Sequence, residues 1–324
     1  MTTTLSKKID FAVILCVRNA NPNGDPLNGN RPRTTYEGLG EISDVAIKRK
    51  IRNRVMELAK EIERIKEEER TEAQKQAYER LKGVEHPIFV QSDDNRSDEY
   101  TSLRERAEAC LKDFMNDRSA YQKKACETWF DVRAFGQVFP FKGKGKGKKG
   151  DKSNEGEESD GVSIGIRGPV SIHPAFSIVP VLDRVSSIQI TKSVSNEPGE
   201  KRGSDTMGMK HRVDHGVYVF YGSINPQLAS KTGFSDDDAA VIKEALRTLF
   251  RNDASSARPE GSMEVYRVYW WEHNSPNGQY SSAKVHRSLR VRVRDGIEDP
   301  KSIDDYVIEL QDLDGLKPEI IEGE

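Results

Sequence analysis

Apolar residues fall along the chain in a small number of readable patterns. Residues 9–17, IDFAVILCV, are an almost unbroken apolar run rich in β-branched types, and the length suits a buried strand. The next stretch, NANPNGDPLNGNRPR at 19–33, has almost nothing to bury. A helix is expected from Ser43 and Asp44, which are suitable caps, because Ile47, Ile51, Val55, Leu58, Ile62 and Ile65 recur at helical spacing. Residues 57–82 are dense in Glu, Lys and Arg at spacings that suit a solvated helix laced by ion pairs. A further helical pattern covers about 98–127, and together these read as a helical insertion.

Strand composition returns at 129–139, WFDVRAFGQVF. Residues 142–161 are low in complexity, basic and then acidic, with no large apolar residue, and read as a flexible loop; the phosphate-loop pattern GxxxxGK[ST] is absent from it. One or two strands follow at 162–181, broken at Gly168-Pro169. Residues 192–212 are polar, and 215–224 reads as a strand. An amphipathic helix at 235–250 has Ser at its cap and acids in its first turn. A strand follows at 263–273, and SLRVRVR at 288–294 alternates so that Arg290, Arg292 and Arg294 share one strand face. With the insertions removed, the order is β-α-β-β-α-β, an α+β ferredoxin-like unit of the kind found in RNA-recognition folds. Fold alone does not fix function.

Composition narrows this picture only in part. The 324 residues carry 51 basic and 53 acidic side chains, so net charge is −2 and argues neither for nor against nucleic acid. Its distribution says more. Residues 31–54 hold seven basic residues (31, 33, 48, 49, 50, 52 and 54) against three acids, a local +4 beside a loop of amides and glycines. Cations there would neutralise phosphates, and Asn would bond phosphate, sugar or base edges. The alternative is an ordinary basic helix face. A second basic stretch, KVHRSLRVRVR at 284–294, precedes 295–324, where 11 acids accompany two lysines. That acidic end reads either as a solvated tail or as a surface for the basic face of a neighbouring copy.

Catalytic patterns are sparse. Cys16, Cys110 and Cys126 form no CxxC pair, His211 and His215 border a strand where four-residue spacing makes no ligand pair, and neither GxSxG nor HExxH occurs. No metal or cofactor is expected. Asp25 in NGDP reads as a turn former. No signal-peptide pattern and no apolar run of membrane-spanning length is seen, so a soluble, cytoplasmic protein with no membrane partner is the expectation.

NPNGDPLNGNRPR together with ISDVAIKRKIRN resembles the opening signature of the backbone subunits of type I-C Cascade, in the seventh family of CRISPR-associated proteins and the RAMP superfamily. FDVRAFGQVF, SIGIRGPVSI and MKHRVDHGVYVFYGSIN are similar to that family as well. The resemblance implies an RRM-like palm, helical fingers and a β-hairpin thumb: palm 1–59, fingers 60–128, palm strands 129–191, thumb 192–212, and the rest of the palm at 213–324. It implies a subunit that is not a nuclease, polymerises along CRISPR RNA, contacts other copies and other Cascade subunits, and supports pairing of the guide with a target DNA strand. By position, Arg18, Asn19, Asn21, Asn23 and Arg31 would form the RNA-binding palm loop. Lys48, Arg49 and Arg52 would bind phosphate from the helix, and Met207, Met209, Lys210 and Arg212 would belong to the thumb. Related type III subunits place a catalytic Asp in the loop after the first strand, so a metal-dependent endoribonuclease using Asp25 is the alternative. A protein-only assembly module is a third reading.

Overall fold

The computed structural model describes residues 4–81, 84, 86–141, 162–192 and 206–324. The chain opens with β1 (Ile9–Ala20), then the short strands β2 (Gly24–Asp25), β3 (Arg31–Pro32) and β4 (Leu39–Ile42), then α1 (Asp44–Arg64). Four helices follow: α2 (Glu72–Leu81), α3 (Leu103–Leu111), α4 (Arg118–Thr128) and α5 (Phe130–Phe135). The middle of the chain forms β5 (Gly136–Phe141), β6 (Val162–Arg167), β7 (Val170–Ile172), β8 (Ala175–Pro180), β9 (Val185–Lys192) and the long β10 (Thr206–Ile224). After α6 (Pro226–Thr232) and α7 (Asp236–Arg247) come β11 (Met263–Glu272), α8 (Ser282–Ser288), β12 (Leu289–Val293), β13 (Tyr306–Leu310) and β14 (Glu319–Glu322).

The result is a mixed α+β fold on one large antiparallel sheet of order β14-β11-β1-β10-β8-β4, with β7 and β9 also paired to β10. β1 lies at its centre, and its sequence shows why. Phe11, Val13, Leu15 and Val17 point to one core, shared with Ile47, Ile51 and Val55 of α1 and Val241, Ile242 and Leu246 of α7. Ala12, Ile14 and Cys16 point to the other face, against Val285, Leu289, Tyr306, Leu313 and Leu316. A strand covered on both faces needs apolar residues at successive positions, so the run 9–17 does not alternate.

α1 begins where expected: Ser43 accepts a hydrogen bond from the Ala46 amide, and Ile47, Ile51, Val55, Leu58 and Ile62 are buried. Ile65 falls just past the last turn, as its cap. α7 starts at a reciprocal box between Ser235 and Asp238. The charged stretch after 57 is not one solvated helix. α1 ends at Arg64, and Ala77 and Leu81 of α2 join the main core. The Arg80 guanidinium of α2 lies 2.7 Å from the buried Asp238 carboxylate of α7. The pattern at 98–127 resolves into two helices, with Ser102 and Asp117 as their caps. With α5 and the β5–β6 hairpin they enclose a separate core that includes Phe89, Leu111, Tyr121, Trp129 and Phe139.

Two further expectations change. Residues 130–135 are helical, not extended. Tertiary contacts override the local preference for strand. Asp131 is buried and accepts from the amides of Phe89 (2.7 Å) and Val90 (3.0 Å), while Arg133 reaches Asp238 and the Cys126 carbonyl. Gly136, at φ 83°, then turns the chain into β5. The acidic end is not a solvated tail. β13 pairs with β12 and β14 with β11, and Glu309, Glu319 and Glu322 bond Arg292, Lys243 and Arg267 of the same chain. Of the three arginines expected on one face of β12, Arg292 is in an ion pair and Arg294 donates to the Asp304 carbonyl. The loop expected at 142–161 lies outside the described residues.

Candidate nucleic-acid interface

The loop after β1 folds on itself. Gly24 pairs with Pro32 and Asp25 with Arg31, closing a small hairpin around a single 3-10 turn at Pro26–Asn28. A Cβ at Gly24 would sit 2.1 Å from the Asn30 side-chain oxygen, so a larger residue there would displace Asn30. Asn21 is buried; its side chain donates to the Asn30 carbonyl at 2.7 Å, and its backbone amide donates to the Ala257 carbonyl. Asn23 accepts the Ser43 amide at 2.9 Å and ties the loop to the entry of α1. Both were expected to reach RNA. The structure turns them inward, because a loop with no apolar core needs its amides to hold its own backbone. Asn19, at φ 53°, is exposed at the end of β1.

Asp25 caps the 3-10 turn by accepting the Leu27 amide, and its carboxylate lies 3.5 Å from Arg33. No cluster of three or more His, Cys, Asp or Glu suited to a metal exists among the described residues.

The basic face of α1 is mostly committed. Arg52 bonds the buried Asp131 at 2.9 Å and lies over the Phe135 ring, so its expected place on phosphate is already taken by a carboxylate from α5. Arg54 is buried among Thr248, Glu57 and Glu61. Lys50 is buried on Asp253; burial outweighs that attraction and pushes its pKa down to about 8. Lys48 pairs with Asp44 one turn back at 2.9 Å, at the surface. Arg49 is exposed with no acid partner among the described residues. The local +4 of the sequence is thus reduced in part by Asp131 and Asp253, acids from distant positions that no count along the chain reveals, and in part by Glu57 and Glu61 further along α1.

Beside the loop stands the β9–β10 hairpin, in which Lys192–Val185 pairs antiparallel with Thr206–Val213. Residues 193–205, most of the stretch expected as the thumb, lie outside the described residues. Met207 lies opposite Thr191 in register. Met209 is exposed and pairs with Gln189; Lys210 is half-buried opposite Ile188; Arg212 lies 3.4 Å from Asp214. Arg31 reaches across to Ser187 at 3.4 Å, and Ser187 is bonded in turn to His211 at 2.7 Å, so loop and hairpin form one surface. Arg18, exposed at the end of β1 opposite His215, has no acid partner among the described residues.

The structure also exposes what the sequence reading passed over. Leu27 and Tyr36 are wholly exposed at the tips of two ordered turns. The Tyr36 turn is fixed by the Leu39 carbonyl on the Thr35 amide and by the Gly38 carbonyl on the Val181 amide. An apolar side chain in a turn-rich segment was the available signal.

The surface therefore offers a few unpaired cations, amide-rich backbone and exposed side chains on an ordered ridge. A family profile described as CRISPR-associated protein Cas7 matches residues 7–311. The chain belongs to the Cas7 family. Within it, a relative named CRISPR-associated protein Cas7, from Haloferax volcanii, is 25% identical over 314 residues, covering 96% of this chain and 82% of its own. Among solved structures, a chain of a "CRISPR RNA-guided surveillance complex, pre-nicking" is similar at a TM-score of 0.45 and 15% identity, over 90% of this chain and 84% of that one. A chain of a "CRISPR RNA-guided surveillance complex" is similar at 0.36 and 14%, over 82% and 68%. Membership in Cas7 rests on the family-profile match, whose range includes the loop, α1 and the hairpin strands.

Proposed function

We propose that this Cas7-family chain is a non-catalytic RNA-binding backbone subunit of a type I-C Cascade. In this reading, copies polymerise along a CRISPR RNA beside other Cascade subunits and support pairing of the guide with a target DNA strand. The carrying observation is the family match over residues 7–311. In the palm of this reading, β11-β1-β10-β8 form the ferredoxin-like or RRM-like sheet, α1 and α7 its helices, and β9–β10 the thumb.

The geometry narrows where RNA can lie. RNA-recognition folds stack bases on the open face of the sheet. Here one face is covered by α1 and α7, and the other by α8, β12 and β13. The guide is left the ridge made by Arg18, Asn19, Arg31, Lys48 and Arg49 and the described part of the hairpin with Met209, Lys210 and Arg212. Such a surface holds backbone and shape, and sequence reading passes to base pairing. Asp25, held by Leu27 and Arg33, is structural in this account.

The test is purification of the full chain followed by analysis of bound nucleic acid. A scaffold carries RNA of uniform length and protects it from added nuclease. Cleavage of labelled RNA with Mg²⁺ or Mn²⁺ that disappears in Asp25→Ala would replace this reading with the endoribonuclease.

A further inference from the structure

A cleft of about 620 Å³ opens where three distant parts of the chain meet: the end of β1, the foot of the β9–β10 hairpin and the loop at 299–301. That volume is ordinary for a small-molecule site. Its lining carries the cations Arg18, Arg184 and Lys301, and the carboxylates Asp183, Asp214 and Asp299. Pro180 and Pro300 supply apolar walls, and His215 also faces it.

Several of these groups are held in place. The Arg184 guanidinium donates to the Pro300 carbonyl at 2.8 Å and pairs with Asp299 at 3.0 Å. Asp214 accepts the Ser186 hydroxyl at 2.6 Å. Arg18 pairs with none of the three carboxylates that share its cleft, and the exposed Asp183 pairs with none of the cations. Burial and then Arg184 hold His215 below the usual imidazole value, so its ring is neutral near pH 7; its Nε2 is buried with no hydrogen-bond partner among the described residues.

Three cations against three carboxylates fit neither a bare anion nor a bare cation. They fit a ligand with one anionic group and a flat body edged by both donors and acceptors. We propose that this cleft is a single-nucleotide subsite, in which Arg18 takes a phosphate and one base of single-stranded RNA lies between Pro180 and Pro300. Asp183 and Asp214 accept from the exocyclic amines or ring N–H groups of the base, and His215 meets its remaining edge. The cleft holds any base, because its donors and acceptors are mixed. It adjoins the ridge: in the turn bearing Tyr36, the Gly38 carbonyl accepts the Val181 amide and Leu39 pairs in register with Pro180. The assignment rests on the RNA-binding reading above.

Photo-crosslinking tests it with the full chain and a single-stranded, uridine-rich RNA carrying 4-thiouridine. Expected are crosslinks to peptides spanning 180–184, 214–215 or 299–301, and a loss of several-fold in those crosslinks in Arg18→Ala, whose exposed side chain has no acid partner among the described residues. Bound RNA that crosslinks only elsewhere overturns the subsite and leaves the RNA reading standing. Cleft crosslinks that are unchanged in Arg18→Ala overturn the subsite in the same way. RNA that is not retained at low salt overturns both.

Discussion

α1 and the ridge beside it both carry cations, yet they use them differently. On α1, the buried Lys50 and Arg54 and the half-buried Arg52 pair with Asp253, with Glu57 and Glu61, and with Asp131, respectively. The exposed side of α1 contributes Arg49 to the ridge. There, Arg18 and Arg49 have no acid partner among the described residues, and among those residues Arg31 meets only the Ser187 hydroxyl. The difference teaches that a basic helix face is a binding surface only where distant carboxylates fail to reach it. Paired charge on the packed side of α1 contributes to folding; under the proposed function, the unpaired charge of the ridge is what a ligand would meet.

The comparison breaks most visibly where buried pairs are cut. Asp238 bonds both Arg133 (2.8 Å) and Arg80 (2.7 Å) with no exposure, joining α7 to α5 and α2. Asp238→Ala strands two guanidinium groups and should cost about 3–5 kcal/mol in urea unfolding. The same site sets a pH dependence. Burial alone would raise the Asp238 carboxyl, but Arg133 and Arg80 outweigh it and hold it below its ordinary value of 3.8. A depressed folded-state value means that this contribution is complete above pH ~4 and is lost as pH falls through the folded-state value. The acid limb of the stability curve should therefore flatten in Asp238→Asn.

Next in size is Arg52→Ala, which leaves Asp131 without its cation. A loss of about 2–3 kcal/mol in stability is expected, while the salt slope of RNA binding by the folded fraction stays as it was. A fallen slope would move Arg52 from the fold to the interface. Lys50 gives the same sign with pH, at the alkaline end. Its folded value of about 8 lies below the ordinary 10.5, so the folded state loses its proton first and stability from this group rises between those values. Lys50→Met should remove that rise, and Asp253 keeps Arg258 as a partner at 3.1 Å. Chemical unfolding at pH 8 and pH 10 reads the difference.

The smallest effect on stability is at the turn tips. Tyr36→Ala and Leu27→Ala remove wholly exposed side chains and should change stability by less than about 0.5 kcal/mol. Sedimentation of the protein–RNA assembly then reports whether either tip has a role in it.

Legibility followed physical range. β1, α1 with its Ser43 cap, α7 and β11 were readable because period and caps are local. The helix at 130–135 was not, because Asp131 is held by contacts 41 and 42 residues away. Nor was the acidic end, whose strands depend on partners elsewhere in the sheet. The loop after β1 stood out by its composition, and the thumb stretch at 192–212 was placed by resemblance. The inward turn of Asn21 and Asn23 and the neutralisation of Arg52 were hidden, because each depends on an atom brought in by the fold.

The most direct measurement is a salt titration of RNA affinity for the intact chain, Arg49→Ala and Arg52→Ala, with the melting temperature of each. The account predicts that Arg49→Ala binds several-fold more weakly, lowers the salt slope by roughly one unit and melts as the intact chain does, whereas Arg52→Ala melts earlier with its slope unchanged. An unchanged slope in Arg49→Ala together with a lowered one in Arg52→Ala would contradict it.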